Sequence, residues 1–142
     1  EPKFISIAGK INRSIPQWIV KNMLSKLKSK NLKILILGVS YKKNIEDDRE
    51  SPTFNIMKIL KSKKIKFEYN DPYFSKLRKS REFDFKKKSI LLNKNNLKKF
   101  NAVILVTDHD IYDYEFIAKN SKFIFDTRGR YKSYNFKNII YC

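Results

Sequence analysis

Two short apolar runs, residues 32–37 and 102–106, constrain this chain more than any other feature of its sequence. Each has the length of a strand and is nearly free of polar side chains, so each reads as a strand buried on both faces. Between and after them the pattern alternates. Pro52 opens a helix through Leu60 with Ser51 as its N-cap, and further helices are expected over residues 93–100 and 112–118. Shorter strands are expected over residues 65–69, 90–92, 123–125 and 139–141. Strands alternating with helices imply right-handed crossovers, and therefore an α/β fold with a Rossmann-like parallel sheet and helices on both faces.

Residues 4–27 follow a different rhythm, with apolar side chains at three-to-four spacing, the period of a helical face. Pro16 interrupts it, so one helix is expected to end near Asn12 and a second to start between Ser14 and Pro16. A chain of 142 residues with 42% hydrophobic content buries one ordinary core. Residues 1–28 therefore read as a helical lead and residues 29–142 as the α/β domain. Residues 74–88 are basic and weakly periodic and read as a loop with at most one helical turn.

Lys and Arg number 32 against 14 Asp and Glu, a formal charge of +18. Such an excess points to nucleic acid or an anionic surface, or else to a solvated lysine-rich exterior, because the lysines are scattered along the whole chain. The only Cys is Cys142, which excludes an intrachain disulfide and a Cys-based metal site. No run approaches the roughly 18 apolar residues of a membrane span, and no signal segment leads the chain, so a soluble cytoplasmic protein is expected. The first residue is Glu rather than Met, which suggests a beginning inside a longer polypeptide.

Ligands of parallel sheets bind beyond the carboxyl ends of the strands, which directs attention to three loops. Residues 38–52 contain a single glycine, Gly38, and so hold neither a dinucleotide turn nor a phosphate loop. Anion binding there falls to Lys42, Lys43 and Arg49, which Glu46, Asp47, Asp48 and Glu50 offset; a neutral surface loop is an equal reading. Residues 107–110 hold the only histidine, His109, read either as a base or ligand or as a polar loop residue beside Asp108 or Asp110, one of which caps the next helix. In residues 126–130, Arg128 is positioned to share a crevice with Lys42 or to pair with Asp126. No nucleophile and base, acid pair or metal-ligand set stands in a fitting context, so the chain reads as a binding module with no catalytic or metal site of its own.

In order along the chain, these segments resemble the UDP-glucose/GDP-mannose (nucleotide-sugar) dehydrogenase family. Residues 11–16 resemble its Asn-x-x-Met-Pro helix, with Ile15 in place of Met. Residues 37–52, LGVSYKKNIEDDRESP, are similar to its LGxxYKxxxxDxRESP stretch, and the sequences around Asp71-Pro72, Thr107-Asp108-His109 and Asp126-Thr127-Arg128 are similar to its YDPY, TDH and DTR elements. The TDH and YKK forms are more like the enzymes that act on UDP-N-acetylhexosamines in surface polysaccharide pathways.

The resemblance implies a carboxyl-terminal UDP-sugar-binding domain of an NAD-dependent enzyme that oxidises a sugar C6 alcohol to a carboxylate, inactive alone. Residues 1–28 would be the end of its central, dimerising domain. By the same resemblance Tyr41, Lys42 and Arg128 contact substrate and Arg49 faces NAD, which is bound mainly by an amino-terminal domain outside this sequence, as is the nucleophilic Cys. Cys142 matches no catalytic motif. The implied partners are a UDP-sugar and the rest of a homo-oligomeric parent enzyme, with no membrane or nucleic acid. The alternative is a basic α/β module that binds nucleic acid. A third reading has the helical lead expose an apolar face and drive assembly.

Overall fold

A computed structural model describes residues 2–142, with side chains from residue 14 onward. Five strands, β1 (Lys33–Leu37), β2 (Lys66–Asn70), β3 (Ala102–Leu105), β4 (Ile124–Asp126) and β5 (Ile139–Tyr141), form one sheet in the order β2-β1-β3-β4-β5. Every neighbouring pair is parallel. The four helices are α1 (Pro2–Lys26), α2 (Pro52–Ser62), α3 (Lys94–Lys98) and α4 (Tyr114–Asn120), and Arg130–Ser133 forms a 3-10 turn.

Alternate side chains of the strands enter separate cores. Ile34, Ile36, Ala102, Ile104 and Phe125 pack with Ile19, Val20 and Met23 of α1 and Ile56, Met57 and Leu60 of α2. Leu35, Leu37, Val103, Leu105 and Ile124 pack with Leu97 of α3 and Tyr114, Ile117 and Ala118 of α4. Helices therefore cover both faces, and β1 and β3 need to be apolar at every position. Each fully buried aliphatic side chain contributes about 1.5–3 kcal/mol by leaving water.

Ser51 accepts a hydrogen bond from the Thr53 N–H at 3.3 Å, and Pro52 occupies the first position of α2, as its sequence predicts. The predicted strand and helix limits otherwise differ by a residue or two at most ends. Four expectations need larger correction.

The break at Pro16 is absent: α1 runs continuously through it. Proline deletes one helical N–H and crowds the carbonyl four residues back, but Ile19, Val20 and Met23 of the following turns are buried and anchor the helix against α2. Those same residues are core rather than an exposed assembly face, and Ile15 and Trp18 are the large apolar side chains of the described part of α1 that stand out into solvent. The side chains of residues 4–13, and with them Ile11, Asn12 and Arg13 of the Asn-x-x-Met-Pro-like segment, lie outside the described residues.

Residues 90–92 are no strand. The Ile90 N–H bonds to the Tyr69 carbonyl and its carbonyl accepts from Asn70 Nδ2, so one residue touches the edge of β2 before the chain turns to Asn93, which caps α3. Residues 74–88 form a loop, as expected, without a helical turn. An isolated antiparallel bridge between Lys76 and Lys88 closes this loop, and Phe83 and Phe85 pin it down by packing on Phe54 and Phe67 at 5.6 and 6.0 Å. Finally, the cap of α4 is Asp113, whose carboxylate accepts the Phe116 N–H at 3.1 Å; neither Asp108 nor Asp110 performs it.

Candidate functional site

The chain leaves β1 toward β2 on one side, while β3 lies on the other, so strand order reverses between β1 and β3 and leaves a crevice beyond their carboxyl ends. Gly38 starts the first loop at φ 95°, and a side chain there would overlap Thr107, the residue after Val106. Glycine is required on both counts. The contact is then stitched: the Leu37 carbonyl accepts from the N–H groups of Val106 and Thr107, Thr107 Oγ1 donates to the Ser40 carbonyl at 2.7 Å, and Thr53 Oγ1 donates to the Gly38 carbonyl at 2.7 Å.

Beneath the loops lies a buried polar cluster. Asp71, after β2, accepts on Oδ2 from the N–H groups of Val39 and Ser40 at 2.7 and 3.2 Å, and on Oδ1 from the Tyr73 N–H at 2.8 Å. His109 Nε2 lies 2.9 Å from the same Oδ2, and both side chains are closed to solvent. The Asn44 N–H points at His109 Nδ1 from 2.8 Å. A backbone N–H only donates, so Nδ1 accepts, and the ring proton sits on Nε2 facing Asp71. Burial pushes the Asp71 carboxyl up, but the bonds from His109, Val39 and Tyr73 outweigh it and hold the group below its ordinary value. The histidine expected to be a polar loop residue is a buried tie between three loops.

Lys42 and Arg128 line one open cleft of about 570 Å³ together with Lys43, Asp108 and Thr127. Thus the two cations foreseen from separate segments share a crevice. Lys42 makes no ion pair among the described residues; its ammonium lies 5.9 Å from the ring of Tyr41, which is half-exposed and does not line the cleft itself. Arg128 does not pair with Asp126. That carboxylate instead accepts the N–H groups of Arg128, Gly129 and Tyr131 at 2.8–2.9 Å, shaping the turn, and leaves the Arg128 guanidinium half-exposed at 3.6 Å from Asp108.

Arg130 takes the structural role. It stacks on Tyr114 at 4.6 Å and bonds to Asp108 and Asp110, and Asp110 in turn meets Lys43 at 3.6 Å. Asn44, at φ 65°, exchanges two further bonds with Asp110 at 2.7 and 2.8 Å. Arg49 lies outside the cleft, 85% exposed, in a two-bond pair with Asp47 at 2.8 and 3.0 Å. The Arg49 side chain and backbone hydrogen bonds hold the Asp47 carboxyl down at about 2.

A second open cleft, of about 460 Å³, lies by the amino ends of β1 and β2, where Lys33, Lys61, Lys64, Lys66 and Lys87 surround Phe67 and Phe85. Cys142 lines neither cleft: burial pushes its thiol up, and Asn22 of α1 donates to its sulfur at 3.7 Å. Asn44, Asp71, His109 and Arg130 carry the geometry of the crevice, yet sequence reasoning passed over their joint role. Asp71 and His109 stand just after strands that are not neighbours, so their meeting depends on strand order; the signal was a polar pair at two strand ends.

The sequence pattern of the UDP-glucose/GDP-mannose dehydrogenase family, UDP binding domain, matches residues 35–133. The UDP-N-acetyl-D-mannosamine dehydrogenase of Methanococcus maripaludis is 29% identical over 138 residues, which cover 89% of this chain and 30% of that protein. A derivative structure of the UDP-N-acetyl-mannosamine dehydrogenase of Staphylococcus aureus superposes with a TM-score of 0.69 at 28% identity, over 99% of this chain and 34% of that one. The UDP-D-ManNAc dehydrogenase of Pyrococcus horikoshii has the same fold, with a TM-score of 0.69 at 22% identity over 95% of this chain and 32% of its own. This chain spans about a third of the length of these relatives. With its parallel sheet, its crevice between β1 and β3 and a family match across most of its length, the chain belongs to the UDP-glucose/GDP-mannose dehydrogenase family and carries that family's UDP binding domain.

Proposed function

We propose that residues 29–142 form the substrate-binding, carboxyl-terminal domain of an NAD-dependent UDP-sugar 6-dehydrogenase, and that residues 1–28 are the helical end of its central domain. The observation that carries this reading is the convergence of Lys42 and Arg128 on one cleft at the strand-order reversal. A UDP-sugar presents a diphosphate, and two cations not committed to strong pairs meet it through charge-assisted hydrogen bonds without a glycine-rich turn. Tyr41 offers an exposed ring and hydroxyl beside Lys42. The relatives' names favour a UDP-N-acetylhexosamine, UDP-N-acetylmannosamine first, as the sugar nucleotide whose C6 alcohol becomes a uronic acid.

The chain's part in such a reaction is to bind and orient. NAD would supply the hydride acceptor, and the crevice has no backbone cradle for it, since Gly38 is filled against Thr107. Arg49, projecting from the same loop, is suited only to touch a cofactor held mainly by another part of the enzyme. We likewise assign the nucleophile to another part of the enzyme, because Cys142 does not line the cleft. We take the parent to be a cytoplasmic homo-oligomer and this domain to be inactive alone.

Calorimetry on the 142-residue chain tests the reading. UDP and UDP-N-acetylmannosamine should bind in competition, and Lys42→Ala or Arg128→Ala should each weaken UDP about tenfold or more, the loss of one charged hydrogen bond. Independent, non-competing binding of the two ligands would refute it. The lysine-lined cleft by the amino ends of β1 and β2, with the charge of +18, favours nucleic acid instead, and that reading requires affinity that ignores the sugar and collapses with salt.

A further inference from the structure

His109 lines no part of the ligand cleft, yet it joins the loops that build it. Its ring is packed between Tyr73 and Tyr112, at 4.8 and 5.7 Å, and is fully buried. The two ring nitrogens are committed in opposite senses: Nδ1 accepts from the Asn44 N–H and Nε2 donates to Asp71, which collects only donors. A hydrogen-bond chain therefore runs in one direction from the loop after β1, through the loop after β3, to the loop after β2.

Asn44 stands two residues from Lys42. Its backbone is in the left-handed region, where the chain doubles back, and its side-chain bonds to Asp110 are exposed and compete with water. The bond to His109 is sheltered. Breaking it takes from the Asn44 N–H the partner that the fold supplies and from the buried ring its acceptor bond, the costly case for a hydrogen bond on the ring's side.

We propose that His109 is a positioning residue for the sugar-nucleotide site: through its neutral Nε2–H form it holds Asn44, and with it the Lys42 arm, in the ligand-ready shape. This rests on the reading of Lys42 as a ligand contact. If the locked arm is only one of the loop's shapes once the tie is cut, apparent affinity falls by the fraction of molecules that leave it.

Two substitutions divide the ring's work in the 142-residue chain. His109→Gln keeps a donor at the Nε2 position for Asp71 and loses the acceptor for Asn44, whereas His109→Asn keeps an acceptor near the Nδ1 position and loses the donor. UDP affinity should fall about tenfold in His109→Gln, with faster hydrogen exchange at the Asn44 amide, and stay within about threefold of wild type in His109→Asn. Affinity would then follow the Asn44 bond rather than the melting temperature, which a purely structural histidine would not produce. UDP binding in His109→Gln equal to wild type, with unchanged exchange at Asn44, overturns the proposal.

Nitrogen NMR of the wild-type ring needs no variant to fold. The proton is expected on Nε2, and a ring protonated at Nδ1 would sink the tie outright. If the wild type binds no UDP, the reading of the cleft has failed, while ring protonation and Asn44 exchange still decide whether the tie exists.

Discussion

At Gly38 the backbone holds φ 95° with Thr107 packed against it. Gly38→Ala meets both a left-handed backbone, roughly 1–2 kcal/mol for a residue with a β-carbon, and an overlap costing about 1–3 kcal/mol. Thermal unfolding of that variant should fall by about 10 °C. Asp71 makes a different residue-level prediction. A carboxyl held below its ordinary value adds stability above its unfolded value near 4, and that stability disappears as pH falls through the lower folded value. Acid unfolding of the wild type should therefore steepen below about pH 4, whereas Asp71→Asn, already less stable at neutral pH, should show a flatter acid limb. At this scale the sequence was hardest to read. Lys42 and Arg128 announce themselves by charge and position after strands, but His109 looked like an ordinary loop residue because its partners include Tyr73 and Asn44, which arrive from distant segments, besides the nearby Tyr112.

Among the elements, those with a local physical signature were the legible ones. β1 and β3 are apolar at nearly every position because both faces are covered, and the start of α2 carries its own cap and proline. Ser51→Ala removes that cap and should cost about 1 kcal/mol, a fall of a few degrees in melting temperature, with little change in UDP affinity because Pro52 still sets the first turn. The elements misread were those decided from outside. Pro16 signals an interruption by local rules, and only burial of Ile19, Val20 and Met23 overrides it. Residues 90–92 have strand composition, but β2 offers them one exchange of bonds before α3 begins.

For the whole molecule the central quantity is the charge of +18. A basic surface draws any polyanion from a distance, so attraction alone does not identify a ligand; the number of counterions released does. Three cations line the cleft, one of them, Lys43, paired with Asp110, and the affinity for UDP should decline gently as salt rises, whereas a single-stranded oligonucleotide laid across many lysines should lose affinity steeply. Titrations of both ligands at several salt concentrations make that comparison, and a steep salt slope for UDP would mean that the scattered lysines, and not the cleft, hold it.

The stitching of the first loop to Thr107, Asp71 and His109 also bears on the thermodynamics of an encounter. Those bonds are formed when the chain folds, so the ordering of the loop is completed before any nucleotide arrives. A ligand meets a shaped surface and spends little of its interaction energy on freezing backbone, which leaves more to be expressed as affinity and less as rearrangement.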